Sequence, residues 1–184
     1  MNDNMNENCK VNNFTLKEYR FLLKKTKSKY PLKGFEVLDN HSLSKKFALI
    51  RHDIDMSIDK ALELAKIESD LGIRATYTVL MTDIYYNPLE QKSRDKLIQI
   101  SNLGHDMGLH FDAEWHAISN ERELSSALRW QSDILNKLLR LKEDSKIKMF
   151  SFHNTTKFTM SCKDKHYAGL RNAYAGILQD NVQY

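Results

Sequence analysis

An arginine, a histidine and two aspartates crowd into Arg51-His52-Asp53-Ile54-Asp55, directly behind the apolar run Phe47-Ala48-Leu49-Ile50. In an extended strand alternate side chains share a face, so Arg51, Asp53 and Asp55 lie on one side and His52 and Ile54 on the other. Two carboxylates a few ångströms apart repel when both are ionised unless a cation stands beside them. Arg51 can be that cation; a divalent metal is the alternative. Carboxylate oxygen and imidazole nitrogen are donors that zinc accepts at about 2.0–2.2 Å, and His110 and His153 can supply the nitrogens. Aspartates here can equally cap a following helix, whose N-terminal dipole favours negative charge. The residues alone leave both readings open.

His110 stands two residues before Asp112 in a strand-like stretch, at the end expected to meet Asp55. Glu114 lies four residues beyond His110, a spacing that brings two side chains to one metal if the chain turns helically there, and His116 follows Trp115 in the same loop. His105 belongs to a turn into a strand, where its ring is expected to meet solvent or backbone. His41 and His166 have no partner motif and are expected at the surface. Tyr85, Tyr86 and Trp115 can line a sugar-binding cleft, or serve as packing and loop anchors.

These residues need elements to hold them, and two signals alternate along the chain: amphipathic helical windows, and short apolar or β-branched runs. Such alternation predicts βα units. Residues 14–29 predict a covering helix, with Thr15 as cap and Phe14 just ahead of it. Residues 46–55 predict the first strong strand, followed by a helix from Ser57 to Gly72. Residues 73–81 predict a second strand. The next helix is expected to be capped by Asn87, with Pro88 at its first position and Glu90 completing a capping box. Residues 105–112 read as a third strand, Asn120 and Glu123 mark the start of a long helix, and residues 147–153 make a fourth strand. Beyond them the pattern offers at most two short strands and no closing helix. In parallel α/β folds, functional residues gather where strands end and loops toward helices begin. The ends of the first, third and fourth strands carry Asp53 and Asp55, His110, and His153, so one rim can collect them all.

Composition narrows the classes. At 184 residues, 41% hydrophobic and 28% charged, the chain is long enough for one sizeable core, and residues 14–184 are expected to form a single domain after a polar start over residues 1–13. The net charge of +4 is interleaved with acids rather than gathered into an aromatic-lined stripe, so no nucleic-acid partner is expected. The first residues hold no signal-like apolar run, and no stretch is long enough for a membrane span, which points to the cytoplasm. Cys9 and Cys162 are far apart and are read as free thiols.

Taken in order, the Arg-His-Asp-Ile-Asp string, the helix and strand after it, Asn87-Pro88-Leu89-Glu90, residues 102–112 and Phe150-Ser151-Phe152-His153 resemble the polysaccharide deacetylase family. This is carbohydrate esterase family four, the chitooligosaccharide deacetylase homology domain, and the chain is most similar to the branch whose first motif reads Arg-His-Asp-Val-Asp. The resemblance covers residues 47–153. It implies an α/β fold, an incomplete, distorted (β/α) barrel, with Asp53 as general base and Asp55 and His110 as ligands of a divalent metal such as zinc. The family's second histidine falls at Glu114, so the third ligand is expected from His153, Glu114 or His116; a strand end is the more rigid support and favours His153. The family's arginine after the fourth strand has no counterpart here, and Arg51 is expected to orient Asp53 instead. The implied reaction removes an N-acetyl group from an amino sugar or saccharide precursor, Asp53 taking the proton of the attacking water. The family's later strand with its general-acid histidine is not found, so the chain is expected to be C-terminally truncated. A catalytically inactive saccharide-binding or assembly protein of the same fold is the alternative expectation.

Overall fold

The computed structural model describes residues 15–39 and 46–181, with side chains to residue 178. The polar start with Cys9, Phe14 and His41 lie outside the described residues.

Local sequence sets the helix starts. Thr15 caps α1 (Leu16–Lys29) through a capping box, its hydroxyl accepting from the Glu18 N–H while the Glu18 carboxylate accepts from the Thr15 N–H. Ser57 caps α2 (Ile58–Asp70), Asp59 sits in its first turn, and Gly72 takes a φ of +62° just past its end. α3 (Gln91–Asn102) starts later than the capping-box pattern predicts. Asn87 Oδ1 accepts from the Leu89 N–H and the Asn87 carbonyl accepts from the Glu90 N–H, so these residues close a turn of their own and Glu90 is the N-cap. Asn120 caps α4 (Glu121–Leu138) by accepting from the Glu123 N–H. Two short helices follow, α5 (Lys157–Ser161) and α6 (Gly176–Asn181); α6 corrects the expectation of no closing helix. No described helix is long and apolar enough to cross a membrane.

The expected first strand is two. β1 (Leu32–Lys33) pairs in parallel with β2 (Ala48–Leu49), and beyond Ile50 the chain enters a second sheet as β3 (Arg51–Ile54). That sheet adds β4 (Thr76–Leu80), β5 (Asp106–Phe111), β6 (Met149–Phe152), β7 (His166–Tyr167) and β8 (Leu170–Asn172) in the order β3-β4-β5-β6-β8-β7, parallel except for β7. The sheet does not close: β3 and β7 are its edges among the described residues.

Its two faces differ in kind. Ile54, Tyr77, Val79, Met107, Leu109, Phe111, Phe150 and Phe152 point to one side and pack against Ala61, Leu62 and Ala65 of α2, Leu97 and Ile100 of α3, and Leu124, Leu128 and Leu135 of α4. Register places Asp53 beside Thr78, Thr78 beside Gly108, and His110 beside Ser151 on the opposite face. In a flat sheet β3 and β6 would stand about 14 Å apart, three strand spacings. Yet Ser151 Oγ lies 3.0 Å from Asp53 Oδ1, so the sheet curls strongly around its polar face. Gly108 makes room inside the curl: a Cβ there would lie 2.4 Å from Met149 Sδ and 2.8 Å from Thr78 Cγ2. Toward the other end of the concave side, Phe35, Leu38, Met149, Ala173 and Leu178 form a separate apolar cluster.

Candidate active site

The curled face brings the chemistry-bearing residues of three strands together. Asp53 is tied at both oxygens: Oδ1 accepts from the Thr78 hydroxyl at 2.5 Å and the Ser151 hydroxyl at 3.0 Å, and Oδ2 accepts from Arg51 Nη2 at 2.9 Å. Burial alone would raise its pKa. The Arg51 charge, the neighbouring His110 and the two hydroxyl donors outweigh burial and hold the carboxyl below the usual carboxylate range. The Arg51 guanidinium also lies over the Tyr174 ring, 5.8 Å from its centroid.

Asp55 follows β3, His110 is the penultimate residue of β5, and His153 follows β6, its N–H donating to the Phe111 carbonyl at 2.8 Å. His110 Nε2 lies 3.0 Å from Asp55 Oδ1 and 3.2 Å from His153 Nδ1, and His153 Nδ1 lies 3.8 Å from Asp55 Oδ1. One tetrahedral zinc with bonds near 2.1 Å places its ligand atoms about 3.4 Å apart, so these distances bracket what a shared metal needs. Burial outweighs the pull of Asp53 and Asp55 and holds the His110 pKa below the ordinary value, which favours the neutral, ligating imidazole. Asp55 is 48% exposed and His110 4%, so this cluster opens to solvent on the carboxylate side. Residue types, spacing and protonation all fit a divalent metal.

The other expected ligands lie elsewhere. Glu114 is exposed in a turn whose backbone carbonyl accepts from the Ala117 N–H. His116 stacks on Phe111 at 5.1 Å and pairs with Gln131 at 2.6 Å. Phe111 points to the helix-covered face, and one residue of offset from His110 puts His116 on the wrong side of β5. Tyr86 is a loop anchor: its hydroxyl donates to the Ile54 carbonyl at 2.8 Å and accepts from the Leu80 N–H at 3.0 Å. Tyr85 and Trp115 are exposed. His166 is surface-exposed as expected but pairs with Asp39 at 3.1 Å, and Cys162 is a buried free thiol.

Two sets of polar residues were not legible in advance. Thr78 and Ser151, the hydroxyls around Asp53, read in sequence as ordinary strand residues. Glu68, in α2, is fully buried behind β3. Its Oε1 accepts from Tyr19 and from His52 Nε2 at 2.6 Å, and its Oε2 accepts from the Tyr77 hydroxyl at 2.6 Å. His52 also stacks on Tyr77 at 4.7 Å. Burial would raise the Glu68 pKa, but its bonds to His52, Tyr19 and Tyr77 prevail and lower it. His105 stands 3.7 Å away without joining: its Nδ1 accepts from the Ala75 N–H at 3.1 Å, so its Nε2–H donates to the Ala65 carbonyl at 2.9 Å and the ring is neutral.

No family model and no curated protein matches the chain by sequence. Among solved structures, the chain is similar to the Streptococcus pyogenes deacetylase PplD in complex with acetate, with a TM-score of 0.54 and 16% identity. The likeness covers 77% of this chain and 65% of that one, so this chain spans about two thirds of that neighbour's length. At this identity the likeness concerns the fold: an α/β architecture around a curled, mixed sheet, similar to that of a deacetylase.

Proposed function

We propose that the chain is a metal-dependent, deacetylase-like hydrolase that removes N-acetyl groups from an amino sugar or a saccharide precursor. One observation carries this reading: the ligand atoms of Asp55, His110 and His153 lie within 4.8 Å of one another, beside an Asp53 that its surroundings keep ionised. A divalent metal, with zinc as the first candidate, would be held by those three residues and would supply Lewis-acid polarisation of the scissile acetyl carbonyl. The chain's own residues supply the rest. Thr78 and Ser151 occupy Oδ1 of Asp53, and Arg51 takes one lone pair of Oδ2, so Oδ2 keeps a lone pair for the proton of an attacking water. Arg51 fixes that oxygen's direction as the hydroxyls fix the other. The structural neighbour, a deacetylase with acetate bound, supports an acetylated substrate.

The test is acetate release from N-acetylglucosamine oligosaccharides by zinc-loaded protein, with chelator-treated protein as control. Chelator-sensitive release is expected, together with a loss of about 10²-fold or more in Asp53→Asn, the range of a general base. Release at the blank rate by zinc-loaded wild type would overturn the hydrolase reading and favour the inactive, saccharide-binding alternative. The metal assignment has its own check: Asp55→Ala and His110→Ala are each expected to lose bound metal by elemental analysis, and wild-type stoichiometry in both would remove it.

A further inference from the structure

Ser151 is fully buried and touches both halves of the site. Its Oγ lies 3.0 Å from Asp53 Oδ1, 2.8 Å from His110 Nδ1 and 3.3 Å from Thr78 Oγ1. A hydroxyl has one proton to give and lone pairs to receive. Of the three neighbours, the Asp53 carboxylate, paired with Arg51 at 2.9 Å, is the acceptor, and a charge-assisted hydrogen bond is about twice as strong as a neutral one. The Ser151 proton therefore goes to Asp53. What remains for His110 Nδ1 is a Ser151 lone pair, and only a protonated Nδ1 can use it. A neutral imidazole carrying its proton on Nδ1 presents Nε2 as a bare lone pair. That lone pair faces Asp55 Oδ1 at 3.0 Å and His153 Nδ1 at 3.2 Å, where a metal would stand.

We propose that Ser151 is a positioning residue that locks His110 in its metal-ligating tautomer, and that it does so by giving its own proton to Asp53. Asp53 touches none of the three ligands in this chain of bonds, yet through Ser151 it sets which nitrogen of His110 is free. The inference rests on the metal reading above and adds a coupling that the reading does not require: the base and the ligand set share one hydroxyl. Replacing Asp53 by asparagine offers Ser151 an amide in place of a carboxylate, which frees its proton to turn toward His110 Nδ1 and moves the ring's own proton to Nε2.

The experiment titrates the purified full chain with Co²⁺ alone at pH 8, reading affinity from the visible absorption band and folding from circular dichroism. Ser151→Ala is expected to bind one Co²⁺ at least tenfold more weakly than wild type, within the 10–100-fold range for residues that orient a metal's histidine. Thr78→Val separates this from a loss acting through Asp53 alone, because Thr78 bonds Asp53 and lies 3.3 Å from the Ser151 hydroxyl but has no bond to His110; it is expected to lose less affinity than Ser151→Ala, since the His110 partner itself is kept. Asp53→Asn is expected to weaken binding in wild type and to cost less in the Ser151→Ala background, the non-additivity of groups that share a partner. Equal affinity in Ser151→Ala and wild type, or equal losses in Ser151→Ala and Thr78→Val, would overturn the role of Ser151. Additive losses would overturn the coupling to Asp53. Absence of Co²⁺ binding by folded wild type would instead overturn the metal reading itself.

Discussion

At the scale of single residues, Arg51 is the one whose removal tells most about Asp53 as the proposed base. It contacts Asp53 at 2.9 Å and is part of the reason the carboxyl lies below its usual range. Arg51→Met keeps an apolar stem and removes the charge, along with the guanidinium over the Tyr174 ring. The Asp53 pKa then rises, the carboxylate protonates at higher pH, and the acid limb of kcat/KM is expected to move upward, with a drop in rate at every pH because Oδ2 loses its fixed direction. A pH–rate profile with the limb unmoved would show that Arg51 does not act on the base. Spacing alone placed Arg51 and Asp53 on one face, since strand alternation is a rule of the backbone. Thr78 and Ser151 were hidden for the opposite reason: a lone hydroxyl in a β-branched or aromatic run is common in strands, and only the curl of the sheet turns these two into donors.

At the scale of elements, β3 is an edge strand among the described residues, paired there on one side only, and Glu68 secures it from behind through His52. In sequence Glu68 falls among the polar residues of α2 and reads as a solvated charge; its burial comes from Tyr19 and Tyr77, which approach from α1 and β4. The Glu68 carboxyl has a folded-state pKa below its unfolded value of about 4.3, so its contribution to stability is present above that pH and is lost as pH falls through the folded pKa. Glu68→Gln is expected to cost about 3 kcal/mol at pH 7 by breaking a buried charged network, and to flatten the loss of stability below about pH 4. Urea melts at pH 7 and pH 3.5 check both parts; equal losses at the two pH values would show that the carboxylate charge is not what matters. The boundaries that sequence misplaced also belong to this scale. Residues 46–55 form an unbroken strand pattern, and nothing local reveals that Ala48 and Leu49 pair with one partner and Arg51 to Ile54 with another. Asn87 and Pro88 suit a turn as well as a helix start, and the turn won.

At the scale of the whole molecule, βα alternation made the helix-covered sheet legible, but closure was not, because no local pattern specifies how far a sheet curls or what fills its inside. The concave face is divided: the polar site gathers at the strand ends that carry Asp55, His110 and His153, and the Phe35, Leu38, Met149, Ala173 and Leu178 cluster fills the opposite part. Gly108 lies between, and its missing side chain leaves the space that Thr78 and Met149 crowd from either side. The division makes a separable prediction. Leu38 is fully buried and belongs to the apolar part alone. Leu38→Ala is expected to cost about 2–5 kcal/mol, the range for a buried leucine truncated to alanine, while Co²⁺ stoichiometry in the folded fraction stays as in wild type. Gly108→Ala adds one methyl into space that Met149 and Thr78 already crowd, and is expected to cost about 1–3 kcal/mol and to weaken Co²⁺ binding as well, because Thr78 cannot yield without moving Asp53 and Ser151. Denaturant midpoints and metal titrations on the two variants decide the matter. If both lose stability and only Gly108→Ala loses affinity, the curl is what builds the site; if Leu38→Ala loses affinity equally, the apolar filling and the polar rim are one cooperative structure and the division is not real.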